Sequence, residues 1–305
     1  MPTQLVLIVA TVAGLLTGGL YLSVMGGPAF ILLQYMTQLP LFLVGFSLGF
    51  VPALMSSGVA LVIAVVTDAT LGLVFFIGYI GPTLLVTHRA LLNRPVKGNK
   101  LEWYPPGRLL AEVTIYVLMI FMLGVIWFYN QDGGLAGIIE RSLTELLSVL
   151  GAEVAQSTSE VLHRYLFIVP GFMGVSWVIM MVVNGSLAQW LLTWSGRNLR
   201  PSPTFGEINL PTWLSYMLGM SALLAIWGEG VLAFVGGSMV MILMTPYFFQ
   251  GVGVVHQWSR RSASSNLILV AFYLLMVFLQ WPILLVVGLG VADQWVHFRR
   301  HRAIS

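Results

Sequence analysis

The sequence contains no cysteine, and only 8% of its 305 residues are charged. The first absence excludes disulfide bonds, thiolate nucleophiles and cysteine-ligated metals. The second sets the chain far from the roughly quarter-charged composition of soluble domains. No His-Glu-x-x-His helix or other ligand spacing suits a metal, and no Gly-Lys-Ser/Thr loop suits a phosphate. No Gly-x-Ser-x-Gly elbow suits a serine nucleophile either. No metal, cofactor or nucleic acid is expected as a partner, and the chain reads as non-enzymatic. Charge is also missing from the middle of the apolar runs, where pumps and proton-coupled carriers keep it. Every Asp, Glu, Lys and Arg falls in a loop or within about a turn of a run's end.

What remains is apolar: 58% of the residues are hydrophobic, and the mean hydropathy is +0.91. Runs of about 20 apolar residues, enough to cross a bilayer, recur along the chain. They predict an all-α, polytopic transmembrane bundle of about 8–10 spans in a single membrane domain, with the lipid bilayer as its solvent. Leu5 to Leu22 is the first span and, lacking a basic n-region, is a retained anchor. Ala29 to Val66 is long enough for two spans, and Pro40 kinks the first. Thr67 to Thr70 is a short outer turn before the fourth span, Leu71 to Ala90. The loop at 88–108 holds Arg89, Arg94, Lys97, Lys100 and Arg108, five of the fourteen basic residues. By the positive-inside rule it is cytoplasmic and closes an N-terminal four-span half, 1–108.

Leu109 to Tyr129 is the fifth span, with Glu112 placed to pair with Arg108 four residues before it. Residues 130–164 are the one long polar insertion, and lie outside. Leu135, Ile138, Ile139, Leu143, Leu146, Leu147 and Leu150 follow a helical period opposite Glu140, Arg141, Thr144 and Glu145. That pattern predicts an amphipathic helix on the outer surface or over the bundle. The C-terminal half, 165–305, adds a span from Tyr165 to Leu192, a basic loop with Arg197 and Arg200, and a span opening at Pro211. Gly228-Glu229-Gly230 is an outer turn before the span that ends at His256. Asn266 to Val296 is broken at Gln280-Trp281-Pro282: one long tilted helix would leave Arg299, Arg300 and Arg302 outside, whereas a hairpin at Pro282, the favoured reading, brings them inside. Asp293-Gln294-Trp295 then lies at the inner interface. Both termini are expected in the cytoplasm, and the protein in a bacterial inner membrane.

Two groups of residues are candidates for function. Ala10, Gly14 and Gly18 form a small-xxx-small stripe, suited either to packing against a neighbouring helix or to docking a protein partner in the membrane. Asn184, Gln189, Gln250 and His256 are polar groups of the cytoplasmic half, beside Arg197 and Arg200. They either bond between helices or line a ligand pocket, with Gly251 and Gly253 admitting a small-molecule ligand or a neighbouring backbone.

The combination of Asn184 with Leu187-Ala188, Arg200-Pro201-Ser202-Pro203, Leu210-Pro211-Thr212-Trp213-Leu214, Gln250-Gly251, Val255-His256 and Asp293-Gln294-Trp295 with Arg299-Arg300 resembles the YybS-like family. This is a group of bacterial multi-spanning proteins without an assigned activity. Gly251-Val252-Gly253 stands where the family pattern has Gly-Leu-Ala. The resemblance implies a distant similarity to the substrate-binding subunits of energy-coupling-factor transporters and to the rod-shape protein MreD. It therefore offers two functions: a small-molecule binding or transport subunit, or a non-enzymatic envelope scaffold. A pocket lined by amides favours the first, and amides consumed by helix packing favour the second.

Overall fold

Hydrocarbon offers no hydrogen bonds to the backbone, so an apolar chain satisfies its own amides within helices. The computed structural model describes residues 2–98, 100–150, 168–262, 264–296 and 298, and helix dominates them. Among the described residues, seven helices are long and apolar enough to cross a membrane, and three shorter apolar ones accompany them. The protein is an all-α polytopic membrane bundle.

The helices are α1 (Thr3–Leu22), α2 (Ile31–Tyr35), α3 (Leu39–Leu48), α4 (Phe50–Thr67), α5 (Ala69–Phe75) and α6 (Gly81–Ala90). After them come α7 (Pro106–Trp127), α8 (Gly134–Leu150), α9 (Ile168–Trp194), α10 (Trp213–Trp227), α11 (Val231–Ser259), α12 (Ser265–Leu279) and α13 (Pro282–Val296). Strands β1 (Asn93–Val96) and β2 (Lys100–Trp103) pair antiparallel in the basic loop, with Gly98 at φ +84° in the turn. The sequence predicts only a loop over 88–108, so the hairpin is an addition to it.

Local chemistry accounts for the breaks. Asp68 caps α5, its carboxylate accepting from the Leu71 amide at 2.8 Å, so the expected turn is a helix start. A π-helical segment, Phe76–Ile80, joins α5 to α6 just before Pro82, which has no amide hydrogen to give the ladder. Gln280, at φ +57°, separates α12 from α13, so the apolar run 266–296 is two helices as expected. The amphipathic pattern is helix α8 up to Leu150. The rest of the 130–164 segment, the start of the 165–192 span, the terminal arginines and the C-terminus lie outside the described residues.

The chain forms two compact units. The first comprises Met1–Val113 with Ile179–Glu207, and the second Thr114–Val178 with Ile208–Ser305. The C-terminal part of α9 and the loop after it bond back onto the first four spans, and so belong to the first unit.

In the first unit α1 packs on α4 through its small residues. A β-carbon on Gly14 would lie 2.5 Å from the Ser56 carbonyl oxygen, and one on Gly18 would lie 2.9 Å from the Ile63 side chain. Ala10 is buried on the same face. The stripe read as a possible docking face is thus covered by the protein's own α4. Beside it Tyr21 stacks on Phe75 at 4.2 Å and donates its hydroxyl to the Leu71 carbonyl.

In the second unit α11 is the hub, packed by α10, α12 and α13. Its crossing with α13 is a backbone contact. A β-carbon on Gly251 would sit 1.9 Å from the Val286 carbonyl oxygen, and one on Gly290 the same distance from the Tyr247 carbonyl oxygen. Only glycine fits at either position.

These geometries predict a graded glycine series. Gly251→Ala and Gly290→Ala force the two helices apart and should sharply reduce folded yield in detergent. Gly14→Leu should cost at least about 1–3 kcal/mol through overpacking. Gly58→Ala and Gly288→Ala, with no atom within 4 Å of the new carbon, should be neutral or stabilise by about 0.5–1 kcal/mol through helix propensity. Melting temperatures of the purified variants check the order.

Candidate functional site

The six residues expected to share a pocket fall into both units. Asn184 and Gln189 belong to the first, and Gln250, Gly251, Gly253 and His256 to the second. Each set has its own bonding inside its unit.

In the second unit Gln250 is buried and its amide is fully engaged. Its carbonyl oxygen accepts from the Leu210 amide at 3.1 Å, and its nitrogen donates to the Gly290 carbonyl at 3.2 Å and to the Asp293 carboxylate at 3.1 Å. The Gln250-Gly251 pair thus locks α11 onto α13 and onto the segment that leads into α10. Gly251 admits a neighbouring backbone, not a ligand. His256 shares a hydrogen bond of 2.8 Å with the Tyr273 hydroxyl on α12. Asp293, expected at the inner interface, is buried beside Gln250, because the Gly251–Gly290 crossing carries its turn of α13 into the packed face.

In the first unit Gln189 donates to the Arg200 carbonyl at 2.6 Å, and Asn198 donates to the same oxygen. Arg200 is itself buried. Its guanidinium donates to the Ala90 carbonyl at 3.1 Å and to the Tyr104 carbonyl at 2.8 Å. Burial draws this guanidinium below the ordinary arginine range, while Glu207 opposes the shift. Arg200 is a clamp: it closes the C-terminus of α6, the base of the hairpin and the loop after α9 onto one another. The Leu199 amide adds the C-terminal part of α3 through the Phe46 carbonyl. Arg197, by contrast, is exposed. Glu112 pairs with Arg89 at 3.3 Å and accepts from the Tyr104 hydroxyl, so the expected partner Arg108 is corrected. Arg89 wins because the end of α6 is held against the start of α7 by this clamp.

Asn184 sits deeper. Its side-chain nitrogen donates to the Tyr35 carbonyl at 2.7 Å and to the Met180 carbonyl at 2.8 Å, which fixes its oxygen as an acceptor facing elsewhere. That oxygen is buried and has no hydrogen-bond partner among the described residues. Tyr35 ends α2, and the run from Ile31 to Leu48 is interrupted at Met36–Gln38 before Pro40 restarts it as α3. Gln38 lies at this interruption. It is fully buried, and both polar atoms of its amide lack a partner among the described residues. One turn on, Phe42 packs against α9 beside Gly185, so the Gln38 face of the interrupted span looks toward Asn184's turn. Gln34 and Thr37 complete a polar girdle at the break, bonded to the Tyr79 hydroxyl and the Gln34 carbonyl.

Sequence reasoning missed Gln38. Its signal was present: Thr37-Gln38 is a polar pair inside an apolar run, two residues before a proline.

The family model described as "Predicted membrane protein (DUF2232)" matches residues 15–294. The chain belongs to that family. Its YybS-like motifs are consistent with this membership. No curated protein and no solved structure matches the chain.

Membership of this family carries no activity, so residue roles rest on bonding. Gln250→Ala removes the bonds to the Leu210 amide, the Gly290 carbonyl and the Asp293 carboxylate. It should cost about 1–3 kcal/mol, read as a lowered melting temperature. Arg200→Met should also lower it and expose the 90–105 hairpin to protease. Arg197→Gln should change neither.

Proposed function

We propose that this chain is a non-enzymatic membrane subunit that binds a small uncharged polar molecule at the break between α2 and α3. One observation carries the reading: among the described residues, the buried amides of Gln38 and Asn184 hold three polar atoms without a hydrogen-bond partner. A buried amide left unpaired costs about 1–3 kcal/mol, and native chains keep such groups chiefly where something else completes them. The Asn184 oxygen accepts, and the Gln38 amide can both give and accept. Among the described residues no charged side chain bonds at this break, so a neutral molecule with hydroxyl or amide groups suits it better than an ion. Interrupted membrane helices are also where transporters place their substrates. The distant resemblance to energy-coupling-factor subunits points the same way.

The scaffold alternative, resembling MreD, draws on a different observation. Gln189, Gln250 and Gly251 serve packing, as they would in a bundle whose partners are proteins. Both readings keep the basic loops and the two termini on the cytoplasmic side of a bacterial inner membrane by the positive-inside rule; the Arg200 clamp, which joins the two basic loops, supports this for the loops.

Gln38→Met separates the two readings, since it removes the amide at nearly constant volume. If Gln38 serves a ligand, the variant melts at or above the wild-type temperature once both are stripped of small molecules. The wild-type protein from mild detergent then carries a neutral compound in mass spectrometry that the variant lacks. Identical small-molecule content in the two preparations, with a lower melting temperature for the variant, would refute the ligand reading.

A further inference from the structure

The hairpin β1–β2 and the loop after α9 meet through Arg200, and the exposed charges they carry are mostly basic. Arg94 is neutralised by Glu102 at 2.7 Å, and Arg89 is paired with Glu112. Lys97, Lys100, Arg108 and Arg197 are exposed and make no ion pair among the described residues. Lys97 and Lys100 flank the hairpin turn, held rigid by the two-strand pairing and by the Tyr104 amide bonded to the Leu92 carbonyl.

The depth of this face is set by aromatic residues. Trp190 and Trp194, at the end of α9, are 62% and 83% exposed, as side chains of a membrane-interface belt are. Arg197 follows three residues later, and Arg200 ties the hairpin to that level. Each strand has four residues, a length of about 13 Å. The hairpin therefore stays within the reach of lysine side chains from the headgroup layer, which extends about 5–7 Å beyond the hydrocarbon on each side.

We propose that this face, with Lys97, Lys100, Arg108 and Arg197, binds the phosphate-bearing headgroups of anionic lipids in the surrounding bilayer. A neutral headgroup offers the same phosphate but cancels it with its own cation, whereas phosphatidylglycerol leaves the charge for the protein. Unlike mobile charges on a disordered tail, these are presented by a fixed scaffold, so retention of individual lipids follows as well as loose attraction. The inference is independent of the ligand assigned to the α2–α3 break.

The test is competitive lipid retention. The full chain, purified in detergent, is incubated with equal amounts of phosphatidylglycerol and phosphatidylcholine, and the lipids that stay bound are quantified by mass spectrometry. The wild type should retain phosphatidylglycerol at least about tenfold over phosphatidylcholine at low salt, with the preference collapsing at high salt. Lys97→Gln and Lys100→Gln should each lower the ratio about two- to fivefold, and adding Arg197→Gln to both should abolish it. These side chains are exposed, so an unchanged melting temperature in phosphatidylcholine verifies the fold, and the salt series on the wild type needs no variant. Equal retention of the two lipids by the wild type, or a preference surviving the triple substitution, would overturn the proposal.

Discussion

A hydrocarbon interior supplies no hydrogen bonds, so every polar group that this chain carries into the bilayer has to be met by the protein or by something the protein binds. Most of the structure follows from how that demand is met. Helices satisfy the backbone. Where the chain leaves helical geometry, a side chain covers the exposed groups: Asp68 caps α5, and Arg200 reaches the end of α6 and the base of the hairpin. Where polar side chains enter the packed face, they find backbone across a crossing, as Gln250 does at Leu210 and Gly290.

Packing in such a solvent gains nothing from expelling water between helices, so close approach has to supply the attraction. The α11–α13 crossing takes this to its limit, since Gly251 and Gly290 set the two backbones against each other. Gln250 and Asp293 flank the same contact and add polar bonds to it. The α1–α4 contact uses the same principle less tightly, through Gly14 and Gly18. The residues that look most like a binding motif in sequence, small residues and amides near a membrane edge, are therefore also those that hold helices together.

The fold was legible because hydropathy and charge placement speak directly about a bilayer. The span list, the break at Gln280–Pro282 and the start of the amphipathic helix follow from run length, proline and period. The basic hairpin was not legible, since four-residue strands with Pro95 in one of them carry little local signal. The site was less legible than the fold. Asn184, Gln189, Gln250 and His256 were found as polar residues in apolar surroundings, but spacing along the chain does not reveal which bond is already made. Gln189 lies five residues from Asn184, yet one is consumed by the Arg200 loop while the other keeps an unmet oxygen. Asp293 read as an interface residue because only the Gly290 crossing, a tertiary fact, buries it.

The account turns on whether the amides of Gln38 and Asn184 meet a bound molecule. An electron cryomicroscopy map of the full chain in a lipid nanodisc, sharp enough to resolve side-chain amides, tests this most directly. The account predicts density larger than a single water within hydrogen-bonding distance of the Asn184 side-chain oxygen and the Gln38 amide, at the break between α2 and α3. Amides turned onto each other or onto backbone, with no density between them, would contradict it.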